Sequence, residues 1–193
     1  MFDMRKPAQP ILKTERLLLR PFALSDAADV QRLAGDRAVA DTTERIPHPY
    51  EDGMAESWIA THAERFRNLE ECTYAILLKD MPELVGAVGL MLAMEHRRGE
   101  LGYWIGRDYW NRGYATEAAR AVIDFGFSVL GLHRIQARHM TRNPASGRVL
   151  EKLGMRHEGR LRGYTLKWGV FEDAEIYGIL KDDRTRYKNY SLI

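Results

Sequence analysis

The stretch Arg107-Asp108-Tyr109-Trp110-Asn111-Arg112-Gly113-Tyr114-Ala115-Thr116-Glu117-Ala118 carries the clearest chemistry in this chain. It lies between an alternating run that reads as a strand and the start of a long amphipathic pattern. Gly113 permits close backbone approach, and Ala115 keeps the first helical turn uncluttered. The N–H groups of Arg112 to Thr116 then converge at the positive end of a helix dipole, where a phosphate or pyrophosphate can bind without a charged side chain. The spacing is not that of a P-loop, which needs Gly-Lys-Ser/Thr, nor of a G-x-G-x-x-G dinucleotide turn. A glycine at a strand-to-helix turn is also ordinary architecture, so both readings stand on these residues alone.

The elements that must position this loop follow from period and punctuation. Leu17 to Arg20 reads as a strand closed by Pro21, and Ser25 as the N-cap of a short helix ended by Gly35. Met54, Trp58, His62 and Phe66 recur at four-residue spacing and predict a helix over 51–69, with His62 packed and hydrogen-bonded on its inner face. Thr73 to Lys79 and Leu84 to Leu92 form a hairpin through Asp80-Met81-Pro82-Glu83, and the chain turns at 97–99 into Glu100 to Gly106. A helix over 114–130 stops at Gly131, and Arg134 to His139 alternates as a strand. Asn143-Pro144 opens the next helix as N-cap and first-turn proline, and Gly154 ends it. Strands at 156–166 and 171–180 complete the order βααβββαβαββ. An antiparallel first half thus leads into a βαβ unit with one parallel pair, a mixed α/β sheet with helices on both faces.

Composition bounds the rest. At 193 residues the chain forms one domain with a full core. Its 45% hydrophobic and 29% charged residues exclude a disordered or fibrous chain. The longest nearly apolar run, Leu84 to Met94, is too short to span a membrane, and no secretory pattern opens the sequence. Net charge is +2 with Lys and Arg interleaved among acids, which argues against a nucleic-acid face. Cys72 is the single cysteine, so an intrachain disulfide and a Cys-based metal cluster are excluded, and a reduced cytoplasmic protein is expected.

Trp110 to Ala118 resembles the acetyl-CoA pyrophosphate loop of the GNAT N-acetyltransferases, and in particular the RimJ/RimL-like branch that acetylates ribosomal-protein N-termini. Three further segments agree in order: Thr14 to Phe22 followed by Ser25-Asp26-Ala27, Glu100 to Ile105, and Asn143 to Ser146 followed by Val149 to Met155. The resemblance covers about residues 14–181, with 1–13 as an N-terminal extension and 182–193 as a tail. It implies a GNAT fold with a central sheet of about seven strands, splayed between its fourth and fifth. One departure is Trp110, which stands where the general superfamily has Gln or Arg.

The resemblance also implies roles. The pantetheine arm of acetyl-CoA would pair with the backbone of Tyr103, Trp104 and Ile105, and the phosphates with Arg112, Gly113, Tyr114, Ala115 and Thr116. Asn143 and Ser146 would face the arm and its thioester end. Tyr164 would protonate the leaving thiolate, and Glu100 would relay a proton through water. Each also has an ordinary structural reading: strand aromatics for Tyr103, Trp104 and Tyr164, helix start for Asn143 and Ser146, surface acid for Glu100. Glu117 reads as a helix N-terminus stabiliser. The acceptor groove is expected from the first two helices, the 42–50 connection with Glu44, His48 and Tyr50, and the 163–172 hairpin with Trp168. No metal is expected. The acceptor is an amine, first a protein or peptide α-amino group, alternatively a polyamine, amino acid or antibiotic. A CoA-binding module without catalysis is the reading outside the class.

Overall fold

The computed structural model describes residues 8–183 and 191–192. Nine strands form one sheet: β1 (Leu12–Lys13), β2 (Leu17–Arg20), β3 (Glu71–Leu78), β4 (Leu84–Ala93), β5 (Arg98–Ile105), β6 (Arg134–Met140), β7 (Arg156–Lys167), β8 (Val170–Leu180) and β9 (Ser191–Leu192). The helices are α1 (Ala27–Ala34), α2 (Arg37–Thr42), α3 (Met54–Ala60), α4 (His62–Arg67), α5 (Tyr114–Ser128) and α6 (Pro144–Lys152). Strand order is β7-β8-β6-β5-β4-β3-β2-β1-β9. Every registered pair is antiparallel except β5 with β6, as the βαβ pattern requires. The expected count of about seven omits the two-residue strands β1 and β9. These also take the sheet beyond the expected boundaries at 14 and 181, and residues 1–7, 184–190 and 193 lie outside the described residues.

Two apolar layers cover the sheet. Val122, Phe125 and Leu150 of α5 and α6 pack with Leu90, Leu101 and Ala137 on one face. Val30, Ala34 and Ile59 of α1 and α3 pack with Ala75 and Leu84 on the other, joined by Tyr50, Trp58 and Trp104. Burial of these alternate strand residues is the main stabilising term, since period two commits one set to each layer.

Three local expectations are corrected. Ser25 does not cap α1. Asp26 instead accepts the Ala23 N–H at 2.8 Å and a two-pronged contact from Arg20, both prongs at 2.7 Å. The helix over 51–69 is split into α3 and α4, because the Thr61 hydroxyl donates back to the Trp58 carbonyl at 2.8 Å and tightens the turn. His62 is packed, edge-on to Trp58 and against Phe22, but neither ring nitrogen has a hydrogen-bond partner among the described residues. Helix α2, which the sequence reading passed over, starts at Asp36, whose carboxylate accepts the Ala38 N–H.

The feature that matters for function lies between β5 and β6. Their parallel register runs from Arg98↔Arg134 to Leu101↔Ala137 and stops there, although β5 continues to Ile105 and β6 to Met140. The sheet therefore parts at the strand pair the resemblance implied.

The Asp26 clamp fixes where α1 leaves the sheet. Burial opposes the Asp26 charge, but Arg20 and the Ala23 amide outweigh it and hold the carboxyl below its usual range. Its contribution is therefore complete above the unfolded pKa near about 4 and is lost as pH falls through the lower folded value. Asp26→Ala should cost about 2–4 kcal/mol in urea unfolding at pH 7, with the difference from wild type shrinking in acid. A loss below about 0.5 kcal/mol would show that the clamp is not structural.

Candidate active site

A cleft of about 840 Å³ passes through the parted sheet. On the α5–α6 side it is lined by Gly113, Tyr114, Ala115, Thr116 and Ser146, and on the α1–α3 side by Tyr50, Trp58 and Trp104.

The loop before α5 is built for an anion. Gly113 sits at φ +81° as the residue that starts the helix, a conformation that strains any side chain. The Glu117 N–H closes the first turn on the Gly113 carbonyl at 3.1 Å, so the amides of Tyr114, Ala115 and Thr116 precede it and point out of the helix end. The Glu117 carboxylate faces away and accepts from the Thr14 hydroxyl (2.6 Å), the Arg16 amide (2.8 Å) and the Arg16 guanidinium (2.7 Å). Burial disfavours its charge, but these donors win and lower its pKa. Arg16 also donates to the Arg112 carbonyl at 2.9 Å, which fixes the loop to β2. Arg112 itself does not line the cleft. Its guanidinium lies over the Tyr109 ring, so its amide is what it can offer an anion. Trp110, the departure noted above, donates its indole N–H to the Ile105 carbonyl at 2.7 Å and holds the loop against the end of β5.

Strand alternation decides which backbone groups face the gap. The Arg97 carbonyl accepts from His133 on the β6 side, whereas the Gly106 amide donates to Val85 on the β4 side. Period two then turns Leu101, Tyr103 and Ile105 toward β6, and Gly102 and Trp104 toward β4. Of the three residues expected to pair with an extended arm, Tyr103 and Ile105 have their backbone in the gap and Trp104 does not. Trp104 contributes its side chain to the opposite apolar wall.

Across the gap, Asn143 accepts the Ser146 N–H at 3.2 Å and donates to the Thr42 carbonyl at 3.1 Å. It thus caps α6, ties it to the end of α2 and lines the cleft. The Ser146 hydroxyl lies 2.7 Å from the Tyr103 hydroxyl. Burial pushes the Tyr103 phenol up to about 12, against a smaller opposing effect of Ser146, so it stays protonated at neutral pH.

Tyr164 and Glu100 are placed differently from expectation. Tyr164 is absent from the cleft lining and 45% exposed, with the Arg138 guanidinium 4.9 Å from its ring centre. It stands beside Arg138 and Glu100, which do line the cleft. Glu100 lines the cleft, but its carboxylate is held by Arg138 and by Gln136 at 3.1 Å. A side recess of about 70 Å³, bounded by Glu100, Arg138 and Tyr164, shares the first two with the cleft. Of the expected acceptor residues, Glu44 and Tyr50 line the cleft, while His48 and Trp168 face each other outside it.

Three residues that the sequence reading missed belong here. Arg148 and Lys152 line the cleft from α6, and the four-residue spacing between them was the available signal. Arg138 joins Glu44 to Glu100 and carried no signal, because its partners lie on other elements. Cys72 is fully buried and its thiol is pushed up to about 12 by that burial, so it does not ionise near neutrality. Among the described residues no group of His, Cys, Asp and Glu is placed to hold a metal ion, and no helix is long and apolar enough to cross a membrane.

The chain matches the family described as Acetyltransferase (GNAT) domain over residues 16–156. It is 36% identical over 178 residues to the uncharacterized N-acetyltransferase YoaA of Bacillus subtilis, spanning 89% of this chain and 97% of that one. Among solved structures, ribosomal-protein-S5-alanine acetyltransferase from Vibrio fischeri has the same fold, with TM-score 0.80, 22% identity and 91% and 99% of the two chains covered. Spermidine N-acetyltransferase from Vibrio cholerae, in complex with CoA and spermine, matches with TM-score 0.75 and 22% identity over 87% and 97% of the chains.

The loop, the gap and the cations of α6 fit a long phosphorylated cosubstrate with an amide-bearing arm. Gly113→Asp introduces bulk and a negative charge where the amides converge. Acetyl-CoA should raise the melting temperature of the wild type and leave that of the variant nearly unmoved. Equal shifts would place the phosphates elsewhere.

Proposed function

This chain belongs to the GNAT acetyltransferase family and moves an acetyl group from acetyl-CoA to an amine, and on that premise we propose that the amine is the α-amino group of a protein or peptide. The observation that carries this reading is the charge balance on the acceptor side of the cleft. Glu44, Glu71 and Glu100 line it together with Arg45, Arg65 and Arg138. Glu44 and Glu100 are paired with Arg138, and Glu71 with Arg65. Each of these carboxylates is engaged by a guanidinium, and Arg45 offsets the charge that the sharing of Arg138 leaves, so among the described residues this lining presents no net negative charge to the second or third ammonium of a polyamine. An α-amine, with pKa near about 8, is already partly neutral at pH 7, whereas a lysine amine near about 10.4 is almost wholly charged. The first therefore needs neither a strong base nor an acidic pocket. Tyr50, Trp58 and Trp104 offer an apolar wall to an uncharged first side chain. A ribosomal-protein N-terminus, the kind of acceptor for which the V. fischeri protein is named, is the first candidate.

In this reading acetyl-CoA supplies an activated acyl group on a thiol. The backbone of Tyr103 and Ile105 holds the arm as an added strand, and the amides of Gly113 to Thr116 take the phosphates with Arg148 and Lys152. The amine nitrogen attacks the thioester carbonyl, the C–S bond breaks, and the Ser146 hydroxyl protonates the departing thiolate. Tyr103, kept protonated by burial, holds a hydrogen bond to the Ser146 oxygen while that proton leaves, and a proton from solvent entering the open cleft restores the Ser146 hydroxyl. The proton shed by the amine passes to solvent by way of Glu100 and the recess beside it, which has room for about two waters.

Two predictions follow from these roles. Ser146→Ala should lower kcat by roughly 10²-fold and Tyr103→Phe by about tenfold, both with acetyl-CoA affinity retained, while Tyr164→Phe stays within about twofold. A 10²-fold loss in Tyr164→Phe alone would return the acid role to that residue. Among acceptors, an Ala- or Ser-initiated peptide should turn over faster than its N-terminally blocked form carrying an internal lysine, and faster than spermidine. Preference for either of the latter would overturn the α-amine reading.

A further inference from the structure

We propose that Arg138 determines acceptor specificity, by engaging two carboxylates and compensating part of their charge, which would otherwise recruit polyamines and lysine side chains. The inference rests on the α-amine reading of the same cleft. Arg138 is the first β6 residue beyond the last registered pair, Leu101↔Ala137, so its side chain enters the acceptor half where the sheet begins to part. Its guanidinium donates through Nε to Glu44 at 3.1 Å and through Nη1 to Glu100. These two acids come from the α2–α3 connection and from β5, and no other cation pairs with either among the described residues. The Tyr164 ring lies 4.9 Å from the guanidinium carbon and fixes its plane, which gives that tyrosine a structural task in place of the proton transfer expected of it. The side chain of Arg138 is 15% exposed, so solvent screens these pairs only in part.

The consequence is an asymmetric one. With Arg138 present, the acceptor half carries three acids against three guanidinium groups. Without it, Glu44 and Glu100 become an uncompensated pair facing the position of the amine. Two such carboxylates attract a di- or tricationic amine far more than a singly charged or neutral one. Specificity here would be exclusion of the wrong acceptor by an internal counter-ion.

The test compares kcat/KM for spermidine with kcat/KM for an Ala-initiated peptide in wild type, Arg138→Gln and Glu44→Gln. The ratio of spermidine to peptide should rise by about tenfold or more in Arg138→Gln and fall in Glu44→Gln, which leaves Arg138 a single carboxylate to balance. A purely structural role would lower both substrates together and leave the ratio unmoved, which overturns the proposal. So does a ratio that moves in the same direction in both variants. If Arg138→Gln fails to fold, Glu44→Gln decides, since an unchanged or raised ratio there contradicts the proposal. The wild-type ratio alone tests the α-amine reading, so the two ideas fail separately.

Discussion

A β-sheet ordinarily spends the hydrogen-bonding capacity of every interior strand on its neighbours, and here β5 and β6 stop doing so after four residues. Past Leu101↔Ala137 the backbone of Tyr103 and Ile105 faces a gap instead of a strand. Unpaired main-chain groups in a protein interior are costly, so such a gap persists only if other contacts hold its walls apart. Trp110 takes up the Ile105 carbonyl on one wall. Asn143 ties α6 to the end of α2 across the other. Between them Arg138 and Glu100 fill the wedge with a hydrogen-bonded ion pair, which no apolar side chain of that shape could replace without orphaning its partner. The arm, the acid pair and the acceptor all depend on this parting.

The anion end depends on a second contact that lies far from it in sequence. Glu117 would, on its own, compete with phosphates for the positive end of α5. It does not, because Thr14 and Arg16 turn its carboxylate to the β1–β2 side. Hydrogen bonds to an ionised group contribute about 1.5–3 kcal/mol each, enough to hold this orientation against solvent. Arg16 then reaches on to the Arg112 carbonyl, so the same side chain that disarms the acid also sets the loop. The N-terminal strand pair thereby becomes part of the active centre without lining it.

Much of this was legible in the sequence, and the reasons differ by element. Gly113 between a strand and a helix, and Asn143 before Pro144, are local signals whose geometry needs no distant partner, and both start their helices as expected. The parted pair was legible only through resemblance, since no residue pattern announces where a parallel register ends. The facing of Tyr164 was not legible because facing along a strand depends on register. The β7–β8 pairing slips between Leu161 and Thr165, and Gly163 there adopts φ +56°, which breaks the alternation that a sequence reading must assume. Trp104 was assigned a backbone role for a similar reason, because alternation alone does not say which edge of a strand meets the gap. Arg138 was invisible for another reason: its meaning lies in Glu44 and Glu100, 94 and 38 residues away.

The central claim is that the cosubstrate completes the sheet at the parted edge of β5. Amide hydrogen exchange resolved to single residues, with and without acetyl-CoA, reads this directly. The account predicts that binding slows exchange at Tyr103 and Ile105 together with Tyr114 to Thr116, while Gly102 and Trp104, already bonded toward β4, change little. Protection at the α5 amides with none at Tyr103 and Ile105 would show that acetyl-CoA binds by its phosphates alone, and that the gap in the sheet is not where its arm lies.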